Sequence, residues 1–309
     1  MRHSIRAVTA TGVHQPTSRR PAARVVAGYV ALTKPRIIEL LLVTTLPTMV
    51  VAARGWPGLG LMAATLVGGT LAAGGANAIN MVVDRDIDAV MHRTAKRPLV
   101  TGVMTPRAAL SFAIGLEVVA FAELWSLVNL LSALLAVSAT VFYVFVYTLW
   151  LKRTSSANIV IGGAAGAVPV LVGWAAVTGT IGAAPLLLFA LIFVWTPPHF
   201  WALAIKYRDD YRSVDVPMLP AVATFGKVCR QILCYTVLVW AVSLAFGAVA
   251  HLHVIYWVAA MALGAGFSAL AVRLYRVQTE ARAMRLFSYS ITYVTVLFAA
   301  MAVDQLVLH

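Results

Sequence analysis

The feature that most constrains this chain is a succession of apolar blocks, each about as long as a bilayer is thick. They run at about residues 37–53, 59–83, 108–127, 130–151, 158–178, 184–205, 231–250, 254–272 and 286–305. Crossing hydrocarbon takes roughly 20 residues of α-helix, because a spanning segment must satisfy its own backbone N–H and C=O groups. The chain is 61% hydrophobic and only 11% charged, against roughly 25% charged residues in soluble domains. The blocks predict an all-α, polytopic membrane protein of nine transmembrane helices. The break at Asn129, between the third and fourth blocks, is the most weakly punctuated.

Charge tests this count. With a cytoplasmic N-terminus, the first segment carries Arg2, Arg6, Arg19, Arg20 and Arg24, then Lys34 and Arg36. Alternate loops take the rest, and of the 24 lysines and arginines only Arg54 falls on the other face. Cytoplasmic loops collect basic residues, and one miscounted helix would invert every later loop. The net charge of +13 is therefore topogenic and calls for no nucleic acid as partner. Residues 1–27 are expected as a disordered basic cytoplasmic tail, ahead of a nine-helix domain over 28–309. An organellar transit peptide has a similar composition, but the stretch is short and its Pro16 and Pro21 suit a linker. A bacterial plasma membrane is the expected location, with the working face on the cytoplasmic side. Cys229 and Cys234 match no zinc or haem-attachment spacing and read as inert core residues.

The acids are concentrated. Asn80, Asp84 and Asp88 are spaced i, i+4, i+8 at the end of the second block, which puts them on one helix face about 6 Å apart. Acids at a membrane edge need a functional reason, and a row of oxygen ligands suits Mg²⁺. Asp86 is off that face and reads as solvated. A second cluster, Asp209, Asp210 and Asp215, follows the sixth block beside Lys206. Adjacent aspartates on a helix diverge by about 100°, so one of the pair faces the first cluster; Asp209, one turn from Lys206, is preferred. A metal on Asp84, Asp88 and Asp209, with cations around it, is an arrangement for a diphosphate. It would ease departure of diphosphate from an allylic substrate, leaving a carbocation. The pairs Gly68-Gly69, Gly74-Gly75 and Gly162-Gly163, with Gly166, read as helix-packing devices.

The Asn80-x-x-x-Asp84-x-x-x-Asp88 pattern resembles the first signature of the intramembrane aromatic prenyltransferase superfamily. Leu32-Thr-Lys34-Pro35-Arg36, Lys96-Arg97-Pro98-Leu99, Leu151-Lys152-Arg153-Thr154, Asn158 to Pro169, Pro198-His199-Phe200-Trp201 and Pro217-Met218-Leu219-Pro220 are similar to its haem-modifying branch. The resemblance covers about residues 30–305. It implies nine helices around a central lipid-accessible cavity. It also implies Mg²⁺-dependent transfer of farnesyl from farnesyl diphosphate to the vinyl group of haem b. The products are haem O, for haem–copper terminal oxidases, and diphosphate; a haem A synthase is the downstream partner. Asn80, Asp84 and Asp88 match the first metal–diphosphate motif, and Asp209 and Asp210 the second acidic site. Lys206 and Tyr207 stand where many relatives carry an earlier Asp, a departure typical of the haem-modifying branch.

By position, Arg93, Arg97, Lys152, Arg153 and Lys206 are diphosphate contacts, although charge bias alone would also put them there. His199 reads either as a haem contact or as a structural histidine bonded to backbone freed by Pro197 and Pro198. Tyr143 and Tyr147 stabilise an allylic cation by their π faces or form an interfacial aromatic pair. His251 and His253 lie on the opposite face and read as interfacial. Two other functions compete. The same chemistry on a quinone-precursor acid or chlorophyllide is disfavoured by Pro198-His199-Phe200-Trp201 and by Lys206. A cation transporter would hold its acids near the midplane, whereas these gather at one face among cations.

Overall fold

The computed structural model describes residues 22–308, apart from the side chains of residues 36, 37 and 39–42. Among the described residues there is no strand. Helix α1 (Ala22–Thr33) occupies the end of the stretch expected as tail; residues 1–21 lie outside the described residues. It stops at Lys34, which adopts a left-handed conformation (φ 52°) ahead of Pro35 at the first position of α2 (Pro35–Ala53). Proline starts a helix without loss but drives the residue before it out of the right-handed α region.

The helices that follow are α3 (Leu59–Val83), α4 (Arg85–Val90), α5 (Pro106–Leu127) and α6 (Leu130–Thr154). Then come α7 (Asn158–Thr178), α8 (Ala183–Lys206), α9 (Arg208–Arg212), α10 (Leu219–Val222), α11 (Phe225–Val249), α12 (Val254–Arg276) and α13 (Glu280–Val307). Eight of them, α3, α5, α6, α7, α8, α11, α12 and α13, are long and apolar enough to cross a bilayer. The chain is a multi-pass membrane protein, and the first expected block falls on α2.

The weak break between the third and fourth blocks is a true helix end. Asn129 Oδ1 accepts from Ser132 N (2.8 Å), capping α6, and its Nδ2 donates to Ala175 O (2.8 Å) on α7. Helices α11 and α13 begin ahead of their apolar blocks because Thr224 and Thr279 cap them within the charged loops. A hydroxyl acceptor at the N-cap satisfies an amide that the helix itself leaves unpaired.

Around the bundle α3 packs on α5, α5 on α6, α6 on α7, α7 on α8, α8 on α11, α11 on α12 and α12 on α13. Helix α13 returns to α8 and α2, and α2 also packs on α7. The largest buried side chains, Trp201, Phe246, Tyr256, Phe267, Tyr293 and Phe298, fill the half built from α8, α11, α12 and α13. The other half encloses a cavity of about 320 Å³, walled by α2, α3, α6, α7 and α8. Small residues make that room. At Gly69 and Gly166, both on the cavity wall, a Cβ would meet nothing within 4 Å. Other glycines of the same runs serve contact instead: at Gly162 a Cβ would lie 2.3 Å from the Tyr147 ring, and at Gly163 3.0 Å from Thr196.

Candidate active site

The Asn80 row survives the end of its helix. Helix α3 stops at Val83, but Asp84 N still bonds Asn80 O and Asp88 N bonds Asp84 O, both at 2.9 Å. Helical register therefore runs through the junction into α4, and the three side chains stay on one face. All are buried: Asn80 is 3%, Asp84 0% and Asp88 2% exposed. Buried carboxylates need partners, and these come from distant parts of the chain. Lys152 donates to Asp84 Oδ2, as does Asn80 Nδ2 at 2.7 Å. Arg97 pairs with Asp88 Oδ2. Lys34 Nζ donates to Asn80 Oδ1 at 2.8 Å.

Three cations, Lys34, Arg97 and Lys152, thus surround two buried carboxylates, in a row that starts one helical turn beyond Asn77, the last α3 residue on the cavity wall. That excess of positive charge suits a further anion. Burial, with Arg97 and Lys152 nearby, lowers the Lys34 ammonium to about 7. In the sequence Lys34 stood as loop charge and as part of a motif of the resemblance, with no role in the site. It reaches Asn80, 46 residues away, from the left-handed position before Pro35.

Within α6, residues Phe142–Leu151 form a π-helix. At 100° per residue an α-helix would set Tyr143 and Lys152 on opposite faces; the wider turn of i→i+5 bonding brings them to the same one. Tyr143 and Tyr147 stack at 5.4 Å on the cavity wall, and Lys152 stands above them at Asp84. Thr148, fully buried and missed in the sequence, completes that face. Its hydroxyl donates to Tyr143 O (2.9 Å) and accepts from Asn80 Nδ2 (3.1 Å), which fixes the orientation of the Asn80 amide.

Arg153 is engaged differently. Its guanidinium makes two 2.8 Å bonds to Asp86, whose carboxyl that pairing holds down at about 2, and lies 3.8 Å from Asp84 Oδ1. Asp86 is exposed, as expected, yet it aims Arg153. Exposed pairs contribute only about 0–1 kcal/mol. Asp86→Asn should therefore leave thermal stability within about 1 kcal/mol and change the KM for an anionic substrate by less than about fivefold, measured in detergent.

The second cluster approaches the first through Asp210. Asp210 Oδ2 accepts from Arg93 N at 3.3 Å, and the Arg93 guanidinium covers the Tyr207 ring at 5.5 Å. Asp209, the sequence preference, is 81% exposed in its side chain and pairs with Arg212 at 3.1 Å. Lys206 is exposed at the end of α8, 5.8 Å from the Tyr207 ring. His199 is not on the cavity wall. Its neighbours Thr196 and Phe200 line the cavity, while its own ring stacks on Trp195 (4.2 Å) and Phe287 (4.7 Å) against α13. Its Nδ1 bonds Ser290 Oγ at 2.7 Å. Ser290 Oγ donates to Phe287 O, so His199 Nδ1 carries the proton in this bond.

The donor set fits a Mg²⁺ ion at the Asn80 row. Asp84 Oδ1 is buried without a hydrogen-bond partner, an acceptor left over for an ion. Among the described residues no group of three or more His, Cys, Asp or Glu could hold a metal by itself. Mg²⁺ needs no such cage, since it keeps waters and binds through one or two carboxylates and substrate phosphates.

An apolar, aromatic-lined cavity with a row of buried carboxylates and cations starting one helical turn beyond its wall is the arrangement of an intramembrane prenyl transferase. The chain belongs to the UbiA prenyltransferase family, whose profile matches residues 41–300. It is 57% identical over 283 residues to the protoheme IX farnesyltransferase of Frankia casuarinae, covering 91% of this chain and 98% of that protein. The protein of the same name from Frankia alni is 55% identical over 285 residues, covering 91% and 99%. In fold, the chain is similar to a digeranylgeranylglyceryl phosphate synthase, with a TM-score of 0.75 at 14% identity over 91% and 98% of the two chains. It is also similar to a UbiA homologue from Archaeoglobus fulgidus bound to DMAPP and Mg²⁺, with a TM-score of 0.62 at 17% identity over 89% and 99%.

Proposed function

We propose that this protein transfers the farnesyl group of farnesyl diphosphate to the vinyl side chain of haem b, giving haem O and diphosphate. The observation that carries the reading is the buried Asn80–Asp84–Asp88 row, with Lys34, Arg97 and Lys152 upon it, at the end of a cavity lined by Tyr143 and Tyr147. The acceptor is taken from relatives above half identity named for that reaction.

Asp84 and Asp88 would hold Mg²⁺, which when bound draws charge from the diphosphate and makes it a better leaving group. The protein supplies the rest. Lys34, Lys152 and Arg97 neutralise phosphate oxygens, Asn80 orients beside them, and Thr148 keeps the Asn80 amide turned correctly. The apolar wall excludes water from the prenyl chain. The stacked Tyr143 and Tyr147 present π faces to the allylic carbons as positive charge develops. Asp210, through Arg93, holds the second cytoplasmic loop against the first. Asp209, Lys206 and Arg153 act at longer range through their charge, and His199 braces α8 on α13.

Membranes containing the protein, given haem b, farnesyl diphosphate and Mg²⁺, should yield haem O by mass. Farnesylation of a quinone-precursor acid with none of haem b would reassign the acceptor.

We further read α2 as a ninth span, with the N-terminus and the Asn80 row on the cytoplasmic side of a bacterial plasma membrane. Basic-residue bias supports this, and a haem A synthase there would be the consumer of the product. With Cys229 and Cys234 replaced by serine, Arg54→Cys should react with an impermeant reagent from outside intact cells, and Lys96→Cys only after lysis. The reverse pattern would invert the topology.

A further inference from the structure

Farnesylation of a vinyl group leaves a cation on the haem side chain, and a hydroxylated product requires water to close it. The cavity therefore needs a place to hold one water and a group to take its proton. Two intramembrane acids on α5, Glu117 and Glu123, have no part in the site described above. Both sit against glycines of α3: a Cβ at Gly75 would lie 2.6 Å from Glu117 Oε1, and one at Gly68 2.1 Å from Glu123 Oε2. These glycines, taken in the sequence for packing devices, admit carboxylates between two spans, where ionisable groups are costly.

Neither lines the cavity, but Glu117 is hydrogen-bonded to a residue that does. Thr140 lines the cavity on α6, three residues before Tyr143, and its hydroxyl donates to Glu117 Oε1 and Oε2 at 3.1 and 3.2 Å. The habit of threonine in a helix is to bond its own i−4 carbonyl. Thr65 and Thr196, on the same cavity, do so, to Leu61 O and Ile192 O. Thr140 is instead turned across to α5. Among the described residues no lysine or arginine pairs with Glu117. Gly75, which Glu117 faces, lies five residues before Asn80, about 7.5 Å deeper along α3. That depth is just below the diphosphate end, where the new bond forms.

We propose that Thr140 and Glu117 form a relay that orients the closing water and takes its proton. The inference rests on the farnesyl-to-haem reading. The water oxygen gives a lone pair to the cationic carbon, forming the C–O bond. Its O–H proton passes to Thr140 Oγ1 as the Thr140 proton passes to the Glu117 carboxylate. The proton leaves to solvent after the product does. Thr140 touches the reacting water; Glu117 acts through it as a positioning and accepting group.

Glu117→Gln keeps an acceptor for Thr140 but cannot take a proton. The test compares wild type, Glu117→Gln, Thr140→Val, Thr140→Ser and Glu123→Gln in membranes with both substrates. Products are separated by mass into hydroxylated farnesyl-haem and the alkene lighter by one water. Glu117→Gln and Thr140→Val should each lower hydroxylated product by about tenfold or more and raise the alkene share. The KM for farnesyl diphosphate should hold, Thr140→Ser should recover most of the hydroxylated product that Thr140→Val loses, and Glu123→Gln should match wild type. If Glu117→Gln does not accumulate, Thr140→Val with its serine rescue gives the same reading. Wild-type kcat and product ratio in Glu117→Gln, or equally in Thr140→Val, would overturn the relay while leaving the farnesyltransferase intact. No farnesylated haem from wild type would overturn the reading beneath it.

Discussion

Asp84→Asn is expected to lower kcat/KM about 1,000-fold, a loss of about 4 kcal/mol of transition-state stabilisation. The substitution preserves shape and removes one charge at the most crowded point of the site. Asp84 Oδ2 receives both Lys152 and Asn80, while Oδ1 is the one buried oxygen of the row without a hydrogen-bond partner. An amide cannot replace both oxygens. If its NH₂ faces Lys152, two donors collide; if it faces the other way, the vacant acceptor becomes a donor. The variant also leaves Lys152 buried without its carboxylate, and breaking such a pair costs about 3–5 kcal/mol. Thermal melting in detergent must therefore accompany the kinetics. The combination expected is a folded protein with a raised Mg²⁺ requirement, weaker diphosphate binding and little turnover. Activity above a tenth of wild type would show that Asp84 does not hold the Mg²⁺ on which the reaction depends.

Gly166→Leu is expected to cut kcat/KM about 100-fold, or about 2.7 kcal/mol, with no loss of thermal stability. Gly166 faces the cavity from α7, and a Cβ built there meets nothing within 4 Å. The leucine Cβ would enter without a clash, and the substitution would improve helix propensity by up to about 1 kcal/mol. Its side chain would occupy room needed for substrate in a cavity of about 320 Å³. Gly69→Leu should behave alike from the α3 wall. Gly162→Leu makes the contrasting case, since a Cβ there would lie 2.3 Å from the Tyr147 ring, so displacement of Tyr147 and lower stability are expected. Isothermal titration with a non-hydrolysable farnesyl diphosphate analogue separates the two outcomes. Unchanged affinity in both Gly166→Leu and Gly69→Leu would mean that substrate does not occupy this cavity.

The apolar blocks corresponding to α3, α5, α6, α7, α8, α11, α12 and α13 were legible because a bilayer imposes length and composition on each segment separately. Even Asn129, the faintest boundary, carried its own signal as a helix cap. The Asn80 row was legible for a similar reason: i, i+4, i+8 spacing is a local property, and the helical bonds through Asp84 preserve it. Glycine runs were legible as runs but not by purpose. Gly75 admits a carboxylate, Gly162 an aromatic ring, and Gly166 nothing at all.

The partners of that row came from packing. Lys34, in a left-handed conformation at the meeting of α1 and α2, reaches Asn80, 46 residues away. Thr148 and Lys152 share a face with Tyr143 because ten residues of α6 are wound as a π-helix, against the α-helical period assumed for them. Asp210 rather than Asp209 approaches Arg93, and His199 turns to α13 rather than the cavity.

The amino-acid sequence by itself thus determined the eight long apolar helices and the loops in which charge collects, since hydropathy and helical period act within a segment. Only the tertiary structure decided which side chains meet at the end of the cavity and which wall bears empty space. Those outcomes depend on the rotation of one helix against another, a relation between residues tens of positions apart that no local period encodes.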